Sequence, residues 1–225
     1  MASLVLALDT PDALTAIRLL DQLPSVRWVK VGSTLFTQAG PPLVRELKGR
    51  GHQVFLDLKW HDIPNTVRGA VVHAKDLGAD LVTVHALGGV AMMAAAKAAA
   101  TATMAVVGVT VLTSHDAVSL SAILGREAEV GCEVVRLARA VQMAGLDGVV
   151  ASPLEVARLR ELLGPAGLIV APGIRASGAD VGDQARTATA AAAAKAGADL
   201  LVVGRPVLEA ADPRAAWDRL CSEIQ

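Results

Sequence analysis

The chain has 225 residues, a formal net charge of −1 and 53 % apolar side chains. That length suits one barrel or one doubly wound domain with a large core, and the composition excludes a disordered chain. A charge so close to zero gives no electrostatic ground for a nucleic-acid partner.

The first strand is expected over Ser3–Leu8, with no basic n-region or cleavage site around it. No secretory signal is visible there, and a cytoplasmic location follows as the default. A helix over Pro11–Leu23 comes next, then a strand over Arg27–Val31 and a helix over Pro41–Arg50. Gln53–Leu58 reads as the third strand and Pro64–Leu77 as its helix; Asp80–Val84 and Ala91–Ala100 form the fourth pair. Met104–Val111 and Glu127–Ala144 are the fifth pair, and Gly148–Ala151 and Pro153–Leu163 the sixth. Leu168–Ala171 with Ala185–Ala196, and Leu200–Val203 with Pro213–Ile224, complete the series. The strands are short apolar runs, as expected when both faces of a parallel sheet are covered. Five helices carry a proline near the start, where a missing N–H costs little. Gly51, Gly78, Gly145 and Gly197 each follow a helix and suit a left-handed cap.

Alternating β and α units on this scale predict a single (β/α)8 TIM-type barrel over residues 1–225. A doubly wound sheet would carry a glycine-rich fingerprint after its first strand, where this chain has Asp9-Thr10-Pro11. The most apolar stretch, Ala91 to Leu112, is interrupted by Lys97 and Gly108 and reads as a helix and a buried strand rather than a membrane span. Cys132 and Cys221 lie far apart without metal or redox spacing.

Barrel active sites sit at the C-terminal strand ends, and polar residues gather there. Asp9, Lys30, Asp57 with Lys59, and His85 end the first four strands; Thr113 and Ser114 follow the fifth. Alternation along a strand puts Asp57 and Lys59 on one side, with Lys30 of the next strand in reach. Alternating opposite charges make such a cluster tolerable in a barrel interior. Spacing alone also allows a purely structural ion-pair cluster. After the last two strands stand Pro172-Gly173-Ile174-Arg175, Gly182-Asp183-Gln184 and Gly204-Arg205. Glycine N–H groups and arginine forks suit a phosphate there. The residues by themselves therefore point to a barrel enzyme acting on a phosphorylated small molecule. Trp60 and His61 are read as packing, and His85 as a strand-end residue at the pocket edge.

Taken together, the motifs resemble the orotidine 5′-phosphate decarboxylase family over essentially the whole chain. The matching stretches are Ala7-Leu8-Asp9, Val29-Lys30-Val31-Gly32, Asp57-Leu58-Lys59 with His61-Asp62-Ile63-Pro64-Asn65-Thr66, Val111-Leu112-Thr113-Ser114, Pro172-Gly173-Ile174-Arg175, Gly182-Asp183-Gln184 and Gly204-Arg205-Pro206. The resemblance implies decarboxylation of orotidine 5′-monophosphate to UMP, with no metal or other cofactor. It implies that Lys59 donates a proton to C6 of the pyrimidine within a Lys30/Asp57/Lys59/Asp62 network. It assigns Asp9, Lys30 and Thr66 to the ribose, Thr113 and Ser114 to the base edge, and Gln184 to base and phosphate. Arg205, Gly204 and the Pro172–Arg175 loop are assigned to the phosphate. It further implies a homodimer in which Asp62 and Thr66 reach the partner's pocket. The alternative is a metal-dependent sugar-phosphate decarboxylase or synthase of the same barrel suprafamily. Those resemble enzymes with a metal-binding Glu on strand two, where this chain has Lys30. A catalytically silent nucleotide-binding barrel is a third reading, which nothing in the motifs favours.

Overall fold

The computed structural model describes residues 2–175 and 186–224. Eight parallel strands form a closed barrel in chain order, β1 pairing with both β2 and β8. They are β1 Ser3–Ala7, β2 Trp28–Gly32, β3 Gln53–Trp60, β4 Leu81–His85, β5 Ala105–Val109, β6 Gly148–Val150, β7 Leu168–Ala171 and β8 Leu200–Val203. Around them lie α1 Ala13–Gln22, α2 Ser33–Gly49, α3 Pro64–Asp76, α4 Gly89–Ala99, α5 Ala117–Leu124, α6 Val130–Met143, α7 Val156–Leu163, α8 Ala190–Ala196, α9 Arg205–Leu208 and α10 Pro213–Glu223. Closure excludes the doubly wound alternative.

Alternation along each strand divides the apolar residues into two cores. Val5, Phe55, Leu81, Val107, Val170 and Val202 fill the barrel, while Leu4, Leu6, Val29, Val54, Val82 and Ile169 pack outward beneath the helices. Gly148 is required at its place: a Cβ there would lie 1.9 Å from the Leu168 carbonyl oxygen.

One device recurs at the N-terminal rim. Asp80, Asp147 and Asp199 stand just before β4, β6 and β8, and each accepts a backbone N–H of the preceding odd strand at 2.7 Å, from Val54, Val106 and Ile169. Each also pairs at 2.6 Å with a helix cation, Lys48, Lys97 and Arg160 respectively. The carboxylates thus tie sheet to helices by charge-assisted hydrogen bonds. An open depression of about 740 Å³ at this rim contains Asp80 and Asp147, whose charges are already paired.

Several boundaries differ from the sequence expectation. α2 begins at Ser33, not Pro41, and runs through a kink at Gly40 (φ 60°, ψ −159°) that accommodates Pro41 and Pro42. α1 starts at Ala13, after Asp12 caps it by accepting the Thr15 N–H. α8 starts at Ala190, behind the Thr189 cap. α5 and α9 were not expected. β2 runs to Gly32, one residue past the expected Val31, and β3 to Trp60, two residues past Leu58.

Candidate active site

At the C-terminal mouth a cavity of about 260 Å³ opens between the strand ends. Asp9, Lys30, Asp57, Lys59, Thr113, Pro172, Arg175, Gly204 and Arg205 all line it. These nine sequence candidates, drawn from six strands or the segments that follow them, meet in one space.

The floor is an ion cluster. The Lys59 ammonium lies 2.7 Å from Oδ2 of Asp57. Lys30 stands 3.6 Å from the same oxygen and 3.2 Å from Asp9. Asp57 is buried, 6 % exposed, whereas the Asp9 side chain is open to solvent. Burial opposes ionisation of Asp57, but the Lys59 and Lys30 charges and the hydrogen bonds from Lys59 and Thr83 outweigh it. The carboxyl is held below its ordinary value. Gly32 leaves room for this arrangement, since a Cβ there would press to 3.1 Å of the Lys30 ammonium.

Lys59 reaches the cavity by a different route from simple alternation. Between the pairs Leu56↔Val82 and Trp60↔Val84 the β3–β4 register shifts, so Asp57, Leu58 and Lys59 stand opposite Thr83 alone. Lys59 has φ 50°, the one positive value outside glycine among the described residues. A bulge of this kind re-aims a side chain at the cost of backbone strain. The expectation that Asp57 and Lys59 share a side holds, but the cause is the bulge rather than the pleat.

The Gly173–Arg175 segment after β7 is tied to Ala188 by two backbone hydrogen bonds, Arg175 N–H to Ala188 O at 3.0 Å and Ala188 N–H to Gly173 O at 3.3 Å. Beyond it Arg186 donates to Glu155 and to the carbonyls of Val111 and Leu112, next to Thr113. The sequence offered no reason to single out Arg186. Gln184 lies outside the described residues, as do Gly182 and Asp183.

Three candidates stand apart from the cavity. Ser114 is exposed. Asp62, on the turn into α3, and Thr66, in its first helical turn, are exposed, and the Asp62 carboxylate accepts the Ile63 N–H at 2.6 Å. Ile63 beside them is 66 % exposed. Trp60 packs against the outer core. The rings of His61 and His85 lie 5.6 Å apart. Burial, then the His61 and Lys59 charges, lower the His85 pKa, which favours a neutral ring.

Residues 2–220 match the family model described as "Orotidine 5'-phosphate decarboxylase / HUMPS family". A curated orotidine 5′-phosphate decarboxylase of Halorhodospira halophila is 53 % identical, covering 98 % of this chain and 95 % of that protein. Another, of Moorella thermoacetica, is 47 % identical over 99 % of this chain and 92 % of its own length. The crystal structure of orotidine 5′-phosphate decarboxylase from Lactobacillus acidophilus superposes with a TM-score of 0.84 at 34 % identity, covering both chains completely.

Proposed function

The chain belongs to the orotidine 5′-phosphate decarboxylase / HUMPS family, and on that premise we infer that it converts orotidine 5′-monophosphate to UMP and CO2. The observation that carries the reading is the Lys59 ammonium held 2.7 Å from a buried, ionised Asp57 on the floor of the cavity.

The reaction breaks the bond between C6 of the pyrimidine and its carboxylate. The electron pair stays on C6 in the plane of the ring, where no adjacent carbonyl delocalises it. A fixed cation is then the direct means of stabilisation, and its proton completes the product. Lys59 takes both roles in this reading: its charge faces the growing carbanion, and an Nζ proton passes to C6. Solvent reprotonates the amine after UMP leaves. Asp57 orients the ammonium, and its charge opposes the substrate carboxylate until that group departs as neutral CO2. Lys30 stabilises Asp57 and reaches toward the ribose side with Asp9. Arg205, Gly204 and Arg175 line the part of the cavity assigned to phosphate, and Thr113 the part assigned to the base. Remote phosphate binding can contribute to the chemical step because it holds the reacting carbon against Lys59.

No metal enters this scheme. Lys30 occupies the strand-two position where the rival sugar-phosphate enzymes resemble one another in carrying a metal-binding Glu, and a cation does not coordinate a cation. The same reading includes a homodimer. Exposed Asp62, Ile63 and Thr66 support an interface at the turn into α3, with Asp62 and Thr66 completing the partner's pocket. A cytoplasmic location goes with it. Among the described residues no helix is long and apolar enough to cross a membrane.

The test is to incubate purified protein with orotidine 5′-monophosphate and follow its loss against UMP formation. Stoichiometric UMP is expected; an unchanged substrate would overturn the assignment.

A further inference from the structure

Thr83 lies in the middle of β4 and is fully buried, 0 % exposed. Its Oγ1 accepts the Lys59 backbone N–H at 2.8 Å and donates to Oδ1 of Asp57 at 3.0 Å. The other oxygen of Asp57 receives the Lys59 ammonium at 2.7 Å. One hydroxyl therefore closes a ring: Lys59 N–H, Thr83 Oγ1, the Asp57 carboxylate, and back to Lys59 through its own side chain.

The ring has a physical reason. The bulge that turns Lys59 toward the cavity removes its N–H from ordinary pairing with β4, because one β4 residue stands opposite three of β3. A buried N–H left unpaired is costly. The Thr83 hydroxyl takes the place of the missing strand carbonyl. Its proton points at Asp57, whose ionised carboxylate can only accept. The strained φ of Lys59 and the orientation of Asp57 are thus set by the same atom. A valine at this place would fill the same volume and make neither bond.

We propose that Thr83 is a positioning residue for Lys59, holding both the bulged backbone and the carboxylate that aims the ammonium at the reacting carbon. The proposal rests on the reading of Lys59 as proton donor. It assigns Thr83 no contact with substrate: it acts by fixing where the Lys59 ammonium stands. Misplacement of a reacting group by about 1 Å costs on the order of 10²-fold in rate.

The experiment compares Thr83→Val, Thr83→Ala and Thr83→Ser with wild type and Lys59→Ala. Turnover of orotidine 5′-monophosphate, the dissociation constant of UMP and thermal melting are measured for each. Expected are a kcat lowered by about 10²-fold in the Val and Ala variants, UMP affinity close to wild type, and near-complete recovery in Thr83→Ser. The Ser and Ala variants both lack the methyl, so their ratio isolates the hydroxyl. Wild-type kcat in a folded Val or Ala variant, with Lys59→Ala inactive, would overturn the role of Thr83 and leave that of Lys59 standing. A parallel loss of kcat and UMP affinity, or a serine variant no better than alanine, would also overturn it. So would a serine variant that folds where both Val and Ala do not, since the hydroxyl would then serve the fold. Full turnover by Lys59→Ala would instead remove the underlying reading, and this proposal with it.

Discussion

The Lys59 ammonium and the Asp57 carboxylate meet at 2.7 Å although their residues are only two apart on a strand, and the carboxylate is buried while the lysine backbone is strained. Asp57 titrates below its ordinary value of 3.8. The sign follows from that direction. A carboxyl whose pKa is lower in the folded than in the unfolded chain contributes stability above its unfolded value, and loses it as pH falls through the folded one. Wild type is therefore expected to exceed Asp57→Asn in urea midpoint at neutral pH, with the gap narrowing below about pH 4. A gap that widens toward acid would contradict the pairing.

Arg205 lines the same cavity as the ion cluster. Arg205→Ala is expected to raise KM for orotidine 5′-monophosphate strongly, by about 10²-fold if a charge-assisted bidentate contact of roughly 3 kcal/mol is lost. Slow turnover of orotidine, which lacks the phosphate, should change little. Equal losses with both substrates would show that Arg205 serves the fold rather than the phosphate.

Arg186 and Glu155 form a pair in which both side chains are nearly buried, 11 % and 12 % exposed. Removing one partner of such a pair strands the other charge. Arg186→Met is expected to lower stability by about 3 kcal/mol, and Glu155→Gln in that background to restore part of it. Chemical denaturation of the two variants decides; a double variant weaker than the single would show that the two residues are not coupled.

The shared site is tested by mixing. Lys59→Ala and Asp62→Ala are each expected to be nearly inactive. If Asp62 serves the partner's pocket, a mixed dimer has one site with both lesions and one with neither. Unfolding and reassembling equal amounts should then restore about a quarter of the sites, by the symmetry of a two-fold dimer. No recovery in a mixture shown by mass spectrometry to contain heterodimers would refute the arrangement.

The barrel and most of the candidates that line its cavity could be read directly, for identifiable reasons. Strands covered on both faces are continuous apolar runs, and the polar residue that ends each run marks the mouth of the barrel. Asp9, Lys30, Asp57, Lys59 and Arg205 were found in that way. The bulge at Lys59 was not legible, because it depends on register against β4, which the local pattern of β3 does not encode. Thr83 was missed for the same reason: within LVTVH it looks like an ordinary strand residue. α5 was missed because AVSLSAIL is apolar around most of its circumference and shows little helical periodicity. Its start did carry a signal, since Asp116 accepts the Ser119 N–H and Ser119 bonds back to Asp116. The repeated Gly-x-Asp before β4, β6 and β8 was also visible, but its meaning lies in the helix cations that meet it.

The most direct test of the central claim is turnover of orotidine 5′-monophosphate by wild type and Lys59→Ala, each after exhaustive chelation and again with added magnesium. General acid catalysis alone is worth about 10²–10⁴-fold, and carbanion stabilisation adds to it. The account predicts full wild-type activity in EDTA, no gain from magnesium, and a Lys59→Ala enzyme that still binds UMP but has lost at least about 10²-fold in kcat. A wild-type enzyme that needs magnesium, or a lysine variant keeping more than about a tenth of the activity, far short of that loss, would contradict it.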